Sequence, residues 1–306
     1  CHIFLANEYA MGLEDDVTGL VLVGSSINPD EEINPDDPSI IRIPMHYGTE
    51  NAGLIMIEPF EGKKISDEFL KLINVTSRLF AISMMLLKLT DETSKVMAEP
   101  DVSSSELQHY RAELTAVIGD LGAEQQNFVE MLAKAVDAKS EYHNNHSQHV
   151  ADLAKEMCEY LGLNEKTKDL IYYAGLLQNI GKITIPEELF NKKEKLSKED
   201  WETLQNHPNI GVSLLMSINF LSEVIPYIHY HKERWDGKGE PEGLKGQSIP
   251  FGSRIIALAD AYSALREERP YRQALSKEEA LKIIKEEAAI KWDPDLVNVL
   301  ESLLAK

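Results

Sequence analysis

Short apolar runs alternate with turn residues over positions 1–65: Ile3 to Leu5, Leu20 to Val23, Ile40 to Met45 and Leu54 to Ile57, separated by Gly, Pro, Asn and Asp. Runs this short, β-branched and bounded by breakers, predict strands. The period then changes. Ser66 ahead of Asp67 and Glu68 predicts a helix start, with a cap residue and acids suited to the positive end of the helix dipole. Phe69, Leu72, Ile73, Leu79 and Phe80 supply its apolar face. Residues 1–90 are therefore expected to form an α+β unit, a small antiparallel sheet closed by a long helix.

Residues 90–105 carry Thr90 to Ser94, Glu99-Pro100-Asp101 and three serines, with few large apolar side chains, and read as a linker. Leu107, Tyr110, Leu114, Val117, Leu121 and Phe128 then fall at heptad spacing, with Glu124 in one seam position and Gly119 and Gly122 weakening the helix. The expectation for 91–123 is a linker and connecting helix whose stripe pairs two subunits or packs on another helix of the same chain. From 124 to 306 the pattern is helix after helix: Leu132, Val136, Val150, Leu153, Met157, Leu170, Leu177, Ile255, Leu258, Ile284, Leu296 and Leu300 recur at helical spacing, which predicts an all-α bundle.

Composition narrows the function classes. A chain of 306 residues with 43% hydrophobic content is long enough for two cores. Its formal charge of −20 opposes nucleic acid and anionic membrane surfaces. Cys1 and Cys158 are too few for a disulfide framework and fit a reducing compartment, so a cytoplasmic location is expected. The longest apolar stretch, Leu79 to Leu89, is broken by Ser83 and Lys88 and predicts no spanning helix. The chain begins at Cys1 inside what reads as a strand, so further sequence upstream is expected.

Six of the nine histidines, His143, His146, His149, His207, His229 and His231, fall within about a third of the chain, which raises the possibility of a transition-metal site. Three segments give this cluster a context: Tyr142 to Val150, Ala174 to Pro186, and His231 to Arg272. The last contains Trp235-Asp236-Gly237-Lys238-Gly239-Glu240-Pro241, Ala259-Asp260-Ala261-Tyr262 and Arg269-Pro270-Tyr271-Arg272, and Trp292-Asp293-Pro294 follows. From about 124 onward the chain resembles the HD-GYP family of cyclic-di-GMP phosphodiesterases within the HD superfamily. The resemblance implies an HD-type helical bundle and, in active members, two adjacent metal ions that activate water against a phosphodiester.

Position by position, His146 stands where the family has a His before Ser, His207 where it has His-Pro, His231 where it has the first of a His-His pair, and Asp260 where it has a late Asp. Other positions depart from the pattern. The His-Asp pair is Gln178-Asn179, the second His of the pair is Lys232, and the loop tyrosine is Glu240. Asn supplies no bridging charge and Lys offers no lone pair, so the expected reading is a non-catalytic domain with no resident cofactor and at most one weakly bound Fe, Mn or Zn ion. The alternative is an active phosphodiesterase with a site re-routed through His143, His149 or His229. Lys182, Arg269 and Arg272 are the candidate ligand-binding residues, suited to phosphate and guanine.

The resemblance also implies cyclic-di-GMP as a ligand and a diguanylate-cyclase-domain protein as a partner, with Gly237 to Pro241 as the contact surface. In the N-terminal unit, Ile43-Pro44 followed by Gly53 to Ile57 and a terminal helix is similar to the second half of a GAF sensor domain. Where such domains carry helices around their pocket, this chain has only Ser25 to Ser39, rich in Asp, Asn and Pro. A sensor and a dimerisation or spacer unit both remain open, with a homodimer through this unit and the connecting helix.

Overall fold

The computed structural model describes residues 2–7, 21–25, 40–48, 50–58, 67–98, 103–139, 145–186, 189, 197–268 and 273–305. Ser66, His143, Arg269 and Arg272 lie outside them, as does 26–39. The chain divides into two compact units, Cys1–Met131 and Leu132–Lys306.

In the first unit, β1 (His2–Asn7), β2 (Val21–Ser25), β3 (Ile41–Tyr47) and β4 (Glu50–Glu58) form an antiparallel sheet in the order β2-β1-β4-β3. In the β3–β4 hairpin Ile43 lies opposite Ile55 and Ile41 opposite Ile57, and Gly48 at φ +58° takes the left-handed conformation in the turn. Alternation along the two strands puts Ile43, Met45, Ile55 and Ile57 in one buried cluster with Ile73 and Ala81 of α1 (Asp67–Met97). Ser77 Oγ on that helix donates to the carbonyl of Pro44 at 3.2 Å.

Two details differ from the expectations. First, α1 runs on through Met97, into the segment read as linker. Thr90 and Thr93 turn their hydroxyls back to the carbonyls of Leu86 and Leu89, and Lys95 pairs with Asp91 one turn away, so these polar residues satisfy themselves within the helix. Second, Phe69–Met97 is long and apolar enough to cross a membrane by length and composition, although no such stretch was expected. Its Ile73 and Ala81 are spent on the sheet and Ile82 and Leu89 on the next helix, which accounts for part of its apolar content. That helix, α2 (Ser104–Asp137), lays Leu114, Val117 and Leu121 of the heptad stripe against Ile82 and Leu89.

Helices make up most of the second unit: α3 (His146–Tyr160), α4 (Glu165–Leu177), α5 (Lys198–Gln205), α6 (His207–Leu215), α7 (Ile225–His229), α8 (Phe251–Arg266), α9 (Lys277–Glu286) and α10 (Pro294–Leu304). A 3-10 turn, Ile180–Thr184, follows α4. The core is built where α3, α4 and α8 meet, with Val150, Ala154, Met157, Ile171, Ala174, Leu177, Ile255, Ile256 and Ala259 fully or nearly fully buried. The last residue of α2 and the turn that follows it are tied into this unit at two places. The carboxylate of Asp137 accepts from Ser147 N at 2.9 Å and Ser147 Oγ at 2.7 Å. Lys139 Nζ donates to the carbonyls of Ile183 and Ile185, both at 2.6 Å.

Candidate functional site

Five stretches of chain converge on one polar cluster in the second unit. Asn145 adopts a left-handed conformation, φ 62°, which Asn tolerates better than most residues, and so delivers His146 as the first residue of α3. Gln178 and Asn179 follow the last turn of α4. His207 opens α6, with Pro208 at the first-turn position where a missing N–H costs nothing. His231 and Lys232 come directly after α7, and Asp260 projects from α8. The packing is close. A Cβ on Gly181 would fall 1.9 Å from the carbonyl oxygen of His207, so only glycine lets the 3-10 turn lie against α6.

Asp260 is the centre of the charged half. His146 Nε2 lies 2.9 Å from Oδ1, Gln178 Nε2 donates to the same oxygen at 3.3 Å, and Lys232 Nζ lies 2.7 Å from Oδ2. On its other side His146 Nδ1 meets Glu267 Oε2 at 2.8 Å, and Glu267 Oε1 meets His149 Nδ1 at 3.1 Å. Burial alone would lower the pKa of His146, but the hydrogen bonds to Asp260 and Glu267 and their negative charge carry it up to about 9. Burial opposes the charge on Asp260 too, yet the Lys232 ammonium and the His146 ring hold its carboxyl well below the usual range.

The other half is neutral. His207 Nδ1 donates to the Leu204 carbonyl at 2.7 Å and His231 Nδ1 to the Ile228 carbonyl at 2.6 Å, with the two rings edge to face at 5.5 Å between centroids. These bonds fix the tautomer and turn both Nε2 atoms into lone-pair acceptors. Both Nε2 atoms are buried without a hydrogen-bond partner, as are Gln178 Oε1 and Asn179 Oδ1. Burial is the main cause that pushes His207 down to about 2, helped by His231, Lys182 and Lys232. Burial and Lys232 push His231 down to about 3.

All four retained positions, His146, His207, His231 and Asp260, thus lie on elements of this cluster, with Gln178, Asn179 and Lys232. Glu240 is exposed and donates its N–H to the Lys232 carbonyl at 3.3 Å. A cleft of about 750 Å3 opens beside them, lined by Gln205, Asn206, Asn209, Lys232, Glu240 and Pro241 among others. Lys182 lies in the 3-10 turn. Among the described residues no three His, Cys, Asp or Glu side chains gather as a metal-binding group. Glu267 escaped the sequence reading. It sits in the charged run Arg266-Glu267-Glu268, where nothing distinguishes it from a solvated acid.

The HD domain family matches residues 130–296, more than half of the chain. The chain is 39% identical over 170 residues to 3'3'-cGAMP-specific phosphodiesterase 1 of Vibrio cholerae, covering 55% of this chain and 39% of that protein. It is 32% identical over 189 residues to the cyclic di-GMP phosphodiesterase response regulator RpfG of Xanthomonas campestris pv. campestris, covering 61% and 50%. The chain therefore spans half or less of the length of these curated relatives. Among solved structures, the cyclic GMP-AMP specific phosphodiesterase V-cGAP3 of V. cholerae is similar at 23% identity and a TM-score of 0.46, over 58% of this chain and 49% of that one. The chain belongs to the HD domain family.

Proposed function

We propose that this chain is a signalling protein with a non-catalytic HD-GYP-type domain that binds cyclic-di-GMP or a protein partner without hydrolysing the nucleotide. The observation that carries the reading is the occupation of Asp260: one oxygen faces the His146 ring and the other the Lys232 ammonium. A dication needs those oxygens, and an ammonium with no lone pair repels it. Asn179 offers a neutral amide where two adjacent ions call for a shared anion. Two metal ions side by side do not fit these residues.

A second reading has its own support. The unpaired Nε2 atoms of His207 and His231 are donors suited to one Fe, Mn or Zn ion. Two imidazoles and a neutral amide fall short of the three protein ligands of ordinary catalytic sites, so that ion would be weakly held. The relatives' names keep cyclic dinucleotides in view, and the cleft beside Lys232 has the volume of a small-molecule site. Lys182, Arg269 and Arg272 are assigned to the ligand's phosphates and bases on the sequence resemblance.

The first unit is assigned as a GAF-like sensor or dimerisation unit, holding a cytoplasmic homodimer through this unit and α2. A diguanylate-cyclase-domain protein docking on Gly237 to Pro241 is the partner implied. The test is hydrolysis of cyclic-di-GMP by the purified chain with added Mn2+ or Fe2+, alongside metal analysis and calorimetry. Binding weakened by Lys182→Ala or Arg269→Ala, without product, is expected. Turnover abolished by His207→Ala would overturn the proposal.

A further inference from the structure

We propose that Lys232 is an internal replacement for a bound cation: its ammonium, together with the His146 ring, holds the Asp260 carboxylate and so joins α8 to α3 and to the chain after α7 at any metal concentration. This rests on the non-hydrolytic reading in that both start from Asp260. A carboxylate largely withdrawn from water needs compensating charge and hydrogen bonds on both oxygens. Here each oxygen receives one cationic partner, at 2.9 Å and 2.7 Å, and Gln178 adds a neutral donor. The Lys232 side chain is 40% exposed and Asp260 17%, so the lysine stem reaches in from the surface and delivers its charge at the inner end.

The same charge acts on the neighbouring imidazoles. Lys232 follows His231 directly in the chain and holds its ammonium on Asp260, so a dication brought among these groups would be repelled by a fixed positive charge. Four buried acceptors face no donor: the two Nε2 atoms, Gln178 Oε1 and Asn179 Oδ1. They keep the donor character of an ion site while Lys232 supplies the cation. Removing the amine should therefore do two things at once. It should loosen the tie between α8 and the chain after α7, and it should release Asp260 Oδ2 and the imidazoles to an added dication.

The experiment is thermal unfolding and calorimetry of the full chain, wild type, Lys232→Met and Lys232→Arg, in EDTA and in Mn2+. Wild type should melt at the same temperature in both. Lys232→Met should lose roughly 2–4 °C in EDTA, the size expected for a pair between a part-exposed lysine and a mostly buried carboxylate in a unit of this length. It should regain part of that loss in Mn2+ and show a binding isotherm that wild type lacks. Lys232→Arg, which keeps the charge, should behave as wild type. Unchanged melting of Lys232→Met in EDTA, or equal stabilisation of wild type and Lys232→Met by Mn2+, overturns the inference. Hydrolysis by the wild type sinks the proposed function whichever way the melts fall, and melts indifferent to Lys232 sink this inference whichever way the hydrolysis assay falls.

Discussion

His146 should give this protein an alkaline limb of instability that a single substitution removes. In the folded chain its pKa is about 9, against 6.5 for a free imidazole. Burial works against the proton, and the bonds to Asp260 and Glu267 outweigh it. The native state therefore holds a proton that the unfolded chain releases as pH rises past 6.5. The resulting stabilisation is complete below that value and fades as pH approaches 9, and the difference corresponds to about 3 kcal/mol. The side chain is 2% exposed, so solvent screening takes little from that figure. For a unit of this size the melting temperature should fall by roughly 6–12 °C between pH 6.5 and 9.5.

On the acid side the sign reverses. His207 and His231 stay neutral in the fold and protonate when unfolded, so stability falls as pH drops below 6.5. The assay is melting temperature against pH for wild type and His146→Gln at constant ionic strength. The variant should be less stable at pH 6.5 and should lose the slope between 6.5 and 9, keeping the acid limb. An alkaline slope that persists undiminished in His146→Gln would refute the reasoning.

Other consequences are more local. Gly181→Ala, whose Cβ would overlap the His207 carbonyl oxygen, should cost about 3 kcal/mol in urea unfolding, at the upper end of overpacking. Asp137→Ala strands the Ser147 amide and hydroxyl and should lower stability by about 2–3 kcal/mol, read as a reduced urea midpoint. Ser276→Ala breaks the capping box that Ser276 and Glu279 make at the start of α9, and should cost about 1 kcal/mol with hydrogen exchange faster in the first turn of that helix.

Residues whose role is set by local pattern were legible in the sequence. The short β-branched runs around Ile43 and Ile55 declare strands because a pleat exposes alternate residues to one side, and the α3 to α10 positions declare helices through a repeated apolar face. The polar cluster was legible only where a family pattern marked it. His146, His207, His231 and Asp260 could be named, but the Lys232 to Asp260 pair joins positions 28 residues apart, and no local rule ties them. Glu267 was invisible because its neighbours are also charged, and its partner His146 lies 121 residues away. The helical path through Thr90 to Lys95 was obscured because side-chain hydroxyls that bond to the preceding turn look, as letters, like a loop.

The last turn of α2 has a mechanical consequence. Its final residue, Asp137, grips the amide that immediately follows His146, and the Lys139 ammonium, two residues beyond the helix, straddles two carbonyls at the end of the 3-10 turn that also carries Lys182. These two ties start only two residues apart, so a shift of the first turn of α3 and a shift of the chain after the 3-10 turn are passed to one another through residues 137–139, as two doors hung on one post move together.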